Sequence, residues 1–369
     1  MKLKHALIEN FKGIKRCEID FISPSSQSPR FLTAIVGDNG SGKTTVLQAI
    51  ALTLSMATRR TPHHSADQLR WLGFRADRLG THGATRVELE VVFTQDELEA
   101  TRSLYDQWQD PTRPSVQPAM FPSVTLVFEK GRTSSPQGNA AFYQFLGRYY
   151  VKTRLKTLPQ LRPFFRRVGD VFWFDQLRNL GSRLRDTSEK EGGRDPADEA
   201  SSFEQNENWT AGVEQLREDL IGWWGYHTSP KRDPANDYLA RLEPWLARIF
   251  PGTKILGLEP RGSANSQRPE FDVLFERNGV SFDLAEFSSG EQAVFPILSE
   301  FVRLEIARSV VLIDELELHL HPPQQQALLG ALRKIGPDCQ FIFTTHSSYL
   351  SEALPNEEIV RVEGGRPCL

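Results

Sequence analysis

The run Gly37-Asp38-Asn39-Gly40-Ser41-Gly42-Lys43-Thr44 has the residue types and the spacing needed to hold phosphate. Gly37, Gly40 and Gly42 let backbone N–H groups around Asn39 and Ser41 turn inward on anionic oxygens. Lys43 adds a point charge suited to the β- and γ-phosphates of a nucleotide such as ATP. The Thr44 hydroxyl, with Thr45 beside it, suits a phosphate-bound Mg²⁺. A chance glycine turn is the bland alternative. The apolar strand expected at 31–36 and the helical pattern at 44–56 supply the context the motif requires, and the helix adds its positive dipole end.

A second chemistry lies at Val310-Val311-Leu312-Ile313-Asp314-Glu315. An apolar strand that ends in acids delivers them to the sheet edge where ligands gather. Asp314 then reads as a direct or indirect Mg²⁺ ligand, and Glu315 as the base that orients and deprotonates an attacking water. Solvent-facing acids at a strand end are the alternative. His319 and His321 follow within Glu317–Pro322, and that stretch reads as a loop contacting another subunit rather than as a metal pair.

The elements that must carry these residues can be outlined from pattern. Strands are expected at 3–9 and 14–21 around the turn Asn10-Phe11-Lys12-Gly13. A further pair is expected at 86–93 and 123–129, and between them Thr94 and Glu97 form a capping-box signature for a helix through Trp108. Aromatic- and arginine-rich helical segments fill 131–250, with a charged, glycine-containing loop at 183–202. Arg277-Asn278-Gly279 is a hairpin signal between strands at 271–276 and 280–284. Helix 291–307, strand 309–314, helix 322–335 and strand 340–344 then alternate, which implies a mostly parallel sheet. The expected fold is α/β: an N-terminal β-layer, a mostly parallel core sheet and an inserted helical subdomain. The expected divisions are 1–130, 131–250 and 251–369.

Composition excludes several classes. A chain of 369 residues with net charge −3 is not uniformly basic, and it has no apolar run of the length that spans a bilayer. No signal peptide follows Met1, so a cytoplasmic location is expected. Cys17, Cys339 and Cys368 are few and far apart, which predicts neither a disulfide framework nor a zinc site.

Phe287-Ser288-Ser289-Gly290-Glu291-Gln292 resembles the signature sequence of ABC-type ATPases, close to the form in SMC, RecF and overcoming-lysogenization-defect-like proteins. The resemblance covers roughly 1–55 and 270–350. It includes Ile8–Ile14 and His346, which matches the family's switch histidine against the γ-phosphate. It implies an ATP-bound homodimer, or a higher oligomer built from it, in which Ser288, Ser289 and Gly290, with Glu291 beside them, contact the ATP held by the other copy. The family also uses a glutamine to sense Mg²⁺ and the attacking water, and Gln176, after 171–174, is the candidate. Phe287 replaces the family's usual leucine, and Leu316 replaces a proline common after the acidic pair.

The resemblance further implies a stand-alone switch of the anti-phage defence kind, as in Septu-like pairs, controlling a separate effector such as an HNH nuclease or a toxin. Only about twenty residues follow His346 in this sequence, so any nuclease involved is expected to be another polypeptide. A RecF-like DNA-repair clamp and a low-turnover scaffold that holds a toxin inactive are the rivals, and a membrane transporter ATPase is the weakest reading. Between 148 and 167, Arg148, Lys152, Arg154, Lys156, Arg162, Arg166 and Arg167 interleave with Tyr149, Tyr150, Phe164 and Phe165. That stretch reads as a surface for DNA or RNA contact, or as an amphipathic element.

Overall fold

The structure, a computed structural model, describes residues 1–58, 79–80, 83–108, 119–176, 213–261 and 271–363. The loop expected at 183–202 lies outside them.

Strand β1 (Lys2–Phe11) buries Leu3, Ala6, Ile8 and Phe11 and reverses through Lys12-Gly13 into β2 (Ile14–Asp20), with Phe11 opposite Ile14. Strand β3 (Leu32–Val36) is apolar and runs into the glycine loop, and α1 (Lys43–Ala57) leaves it. Nearly every residue of α1 from Val46 onward is buried, as expected of a helix apolar on all sides. Strand β4 (Arg86–Val92) leads to α2 (Gln95–Trp108). The expected capping box starts α2: the Glu97 N–H donates to the Thr94 hydroxyl at 3.3 Å, and the Thr94 N–H donates to the Glu97 carboxylate at 3.0 Å.

Strands β5 (Ser123–Glu129) and β6 (Arg132–Ser134) form a hairpin. Short helical pieces follow: a 3₁₀ stretch at Asn139–Leu146, helix α3 (Gly147–Arg154) and a 3₁₀ stretch at Pro159–Arg166, ahead of β7 (Val171–Phe174). Pro159 and Pro163 account for the absence of a regular helix in the last stretch before β7. Next come α4 (Val213–His227) and α5 (Tyr238–Ile249), the latter capped by the Asp237 carboxylate accepting from the Ala240 N–H at 3.1 Å. Strand β8 (Thr253–Pro260) was not foreseen from pattern; β9 (Phe271–Arg277) and β10 (Val280–Asp283) form the expected hairpin.

Helix α6 (Ser289–Arg303) begins earlier and stops sooner than expected. A capping box at Ser288 starts it, and left-handed backbone at Glu305 (φ 48°) and Arg308 (φ 50°) follows its end. The remaining elements are β11 (Val310–Ile313), α7 (Pro322–Ile335), β12 (Gln340–Thr345), α8 (Ser348–Ala353) and a short β13 (Ile359–Arg361).

The described residues form two compact units. The first, from 1–173, 306–316 and 336–363, holds an antiparallel sheet in the order β2-β1-β4-β5-β6 and a second sheet in the order β13-β3-β12-β11-β7. Strands β13, β3, β12 and β11 run parallel, with Ile313 beside Phe343 and Thr344 beside Ile35. Helix α1 packs against both sheets. The buried Gln340 amide stitches one sheet to the other, accepting from the Leu3 N–H at 2.6 Å and donating to the Leu3 carbonyl at 3.0 Å. The α/β fold with an antiparallel N-terminal sheet and a parallel core sheet is therefore as expected.

The second unit, from 174–305 and 317–335, places α5 against α4, α6, α7 and β8, and its sheet has the order β10-β9-β8. Within 131–250, residues through 173 belong to the first unit and 213–250 to the second. Cys339 is buried and free.

Candidate nucleotide-binding site

Because β3, β11 and β12 run parallel, their C-terminal ends bring Gly37, Asp314 and His346 to one edge of the sheet. The glycine loop turns with left-handed backbone at Gly40 (φ 76°) and Gly42 (φ 101°), conformations that a Cβ would oppose. Asn39 and Gly40 are exposed at its crest, Ser41 is buried beneath it, and Thr45 is half-buried on the first turn of α1.

Lys43 is almost fully buried, and its ammonium donates to the Gly37 and Asp38 carbonyls, each at 2.9 Å. His346 Nδ1 lies 3.4 Å from the same ammonium. Lysine can only donate, so in a hydrogen bond between them Nδ1 is the acceptor. Lys43 and His346, far apart in sequence, thus meet at one point.

A second chain of contacts starts from Thr44. Its hydroxyl donates to the Asp314 carboxylate at 2.9 and 3.0 Å. Asp314 is 1% exposed, so its charge is tolerable only with partners of this kind. Thr344 supplies another, donating at 2.6 Å. Glu315 follows with left-handed backbone at φ 49° and a half-buried side chain, and its N–H donates to the Thr344 hydroxyl at 2.7 Å.

For Mg²⁺, the convergence of a threonine hydroxyl and a buried carboxylate is a fitting donor set, since both are hard oxygen ligands beside a phosphate cradle. Thr44 and Asp314 are the residues that would hold it. No cluster of three or more His, Cys, Asp or Glu side chains suited to a metal occurs among the described residues. Gln176 is exposed two residues beyond β7 and belongs to the second unit.

The signature-like segment belongs to the second unit. Ser288 and Ser289 are exposed at the N-terminus of α6. Gly290 is buried, and a Cβ there would come within 2.8 Å of the His319 carbonyl oxygen, so only glycine admits that backbone. Glu291 turns inward instead of outward. It is 3% exposed, accepts from the Ser288 N–H at 2.9 Å and the Ser288 hydroxyl at 2.6 Å, and pairs with the Arg277 guanidinium. Arg277 also donates to the Thr253 hydroxyl at 2.7 Å and lies over the Phe282 ring. The Gln292 amide closes the turn on the Phe287 carbonyl at 2.9 Å. Phe287, the departure from leucine, packs against Phe275, Phe282 and Phe295.

Two residues in these networks were not foreseen. Thr344 stands two residues before His346, the only residue of that stretch with an expected role. Arg277 was read as part of a turn. The stretch 148–167 packs partly inward. Arg148 is buried against Phe165 and Phe172, and Arg167 pairs with Asp96 at 2.5 Å. Tyr149, Tyr150, Phe164 and Phe165 pack into the cluster formed with Leu104, Tyr105 and Leu161. Tyr150 is a buried core residue, and Tyr149, Phe164 and Phe165 keep part of their surface exposed.

A glycine-loop lysine, a hydroxyl-held acid and a histidine beside the lysine meet on a parallel sheet, in a unit that also holds an antiparallel N-terminal sheet, and this is the head fold of ABC- and SMC-type ATPases. The family model described as "AAA domain, putative AbiEii toxin, Type IV TA system" matches residues 32–352, and the chain belongs to that family, AAA_21. The chain is similar to the "Retron Vc95 probable ATPase" of Vibrio cholerae serotype O1 biovar El Tor, 21% identical over 384 residues, covering 90% of this chain and 69% of that protein. It is 31% identical over 111 residues to the "Retron Ec83 probable ATPase" of Escherichia coli, covering 27% of this chain and 20% of that protein. It is 36% identical over 59 residues to the Septu protein PtuA of Bacillus thuringiensis, covering 16% and 15%. The matches thus span a fifth or less of the Ec83 and PtuA proteins.

The fold is also that of a solved structure titled "Crystal structure of the SmcHead bound to the C-winged helix domain of ScpA". The TM-score is 0.54 at 14% identity, covering 100% of this chain and 98% of that one. No helix among the described residues is long and apolar enough to cross a membrane.

Proposed function

We propose that the chain is an ATP-hydrolysing switch that closes as a homodimer around ATP and controls a separate effector, such as a nuclease or toxin, in anti-phage defence. The observation that supports hydrolysis is the continuous contact chain Thr44–Asp314–Thr344–Glu315 beside the Lys43–His346 contact. Lys43 would meet the β- and γ-phosphates, and the Nε2–H of His346 would donate to the γ-phosphate. Glu315 would orient and deprotonate water. Bound Mg²⁺ would supply charge neutralisation for the phosphates, with Thr44 and Asp314 as its protein ligands. Exposed Ser288 and Ser289 at a helix N-terminus would offer donors to the ATP of a second copy. The defence setting is supported by similarity to retron ATPases and to Septu PtuA.

The test is Glu315→Gln. ATP binding should persist, turnover should fall about 10²–10⁴-fold, and ATP should hold the protein as a dimer in size-exclusion chromatography. Undiminished turnover would remove Glu315 from the role of base.

A further inference from the structure

We infer that Thr344 is the positioning residue of the hydrolytic site, fixing Asp314 and Glu315 through one hydroxyl. The inference rests on the ATPase reading but on observations of its own.

Thr344 is fully buried near the end of β12, which is flanked on both sides by β3 and β11. Its hydroxyl has one proton. The Glu315 N–H can only donate to it, so that proton is committed to Asp314, at 2.6 Å. The hydroxyl therefore bridges in a fixed direction, from the Glu315 backbone through Thr344 to the Asp314 carboxylate. The Leu316 N–H donates to the Thr344 carbonyl at 3.1 Å, so both polar ends of Thr344 hold the chain immediately after β11.

That chain needs holding. Glu315 adopts left-handed backbone at φ 49°, which a non-glycine residue keeps only where its surroundings over-determine it. Two hydrogen bonds from a central strand provide that constraint. The direction of the Glu315 side chain is set by its backbone, so the base is aimed by a residue twenty-nine positions away in sequence. His346 stands two residues beyond on the same chain, so the γ-phosphate donor, the metal-side acid and the base share one rigid platform.

Thr344→Val keeps shape and removes the hydroxyl, and Thr344→Ser restores it. Thr344→Val should lower kcat about 10–100-fold with the KM for ATP changed less than about threefold, and Thr344→Ser should recover most of kcat. In hydrogen exchange resolved to individual amides of 314–317, Glu315 should lose protection in Thr344→Val while Leu316 keeps it. If Thr344→Val does not fold, Thr344→Ala removes the hydroxyl without added bulk and carries the same expectations. Wild-type kcat in the hydroxyl-free variant, a serine variant as impaired as valine, or unaltered Glu315 exchange would each overturn the inference. A wild-type protein without turnover would count against the ATPase reading instead. The exchange difference then decides the role of Thr344 by itself.

Discussion

The phosphate loop region of the first unit and the signature-like segment of the second are held in opposite ways. In the first unit, Thr44 reaches Asp314 across 270 residues of chain, Lys43 reaches His346 across 303, and Thr344 reaches Asp314 across 30. In the second unit, Ser288 and Glu291 lock each other across 3 residues, and Arg277 joins from 14 away. The first arrangement exists only when the parallel sheet is complete. The second is a helix start that writes most of its own geometry. The groups proposed to act on ATP are thus fixed by the sheet, and the helix end proposed to meet a second copy is fixed locally.

The sharpest way to test that contrast is Arg277→Met. It leaves the Glu291 carboxylate buried without its guanidinium. We expect a loss of about 2–3 kcal/mol, less than for a fully buried pair because the Arg277 side chain is 33% exposed. Differential scanning calorimetry would measure the loss. Adding Glu291→Gln should recover part of it, and nucleotide binding by the single chain should change less than about twofold. A large loss of binding in the monomer would break the contrast.

Ser288 is the next probe. Ser288→Ala removes the cap and should cost about 1 kcal/mol. Ser288→Asp restores a capping oxygen but places a negative charge where a phosphate would sit. Its carboxylate also faces that of Glu291, which accepts from the wild-type hydroxyl, so its stability should fall at least as far as that of Ser288→Ala, and ATP-dependent dimerisation, read by light scattering, should be lost. Dimerisation retained in Ser288→Asp would leave the serine with a capping role alone.

The smallest expected effect concerns pH. Burial raises the Asp283 carboxyl, but hydrogen bonds from Arg217 and the Ala285 and Leu284 backbone outweigh it and hold the group below its ordinary value. A depressed carboxyl adds stability above its unfolded value and loses it as pH falls through the folded one. The contribution should therefore be complete at neutral pH and fade below about pH 4. Wild type and Asp283→Asn should converge in melting temperature as the pH drops through that range. Parallel curves would exclude the mechanism.

The parts legible in the sequence are those whose cause is local. The glycine loop announces itself because left-handed turns at Gly40 and Gly42 require glycine. Thr94 with Glu97 and Ser288 with Glu291 are readable because a capping box spans one helical turn. The apolar run 310–313 marks a buried parallel strand by composition. Strands β8 and β13, the inward turn of Glu291 and the bridging hydroxyl of Thr344 were not readable in this way. Each depends on which distant segment arrives beside it. The aromatic and basic stretch 148–167 is ambiguous for the same reason: its composition suits a nucleic-acid surface or an amphipathic element, and packing places Tyr150 in a core with Phe164 partly buried against it.

By itself, the sequence determined the phosphate loop, the two acids after an apolar strand, the helix starts and the alternation that makes a parallel sheet. Spacing of a few residues is enough to encode each of these. Only the tertiary structure decided that Lys43 meets His346, that Thr44 and Thr344 share Asp314, and that Glu315 sits in left-handed backbone. The physical reason is register. Pairing Ile313 with Phe343 and Thr344 with Ile35 is set by burial across the whole sheet, and that pairing places one hydroxyl between an acid and a base.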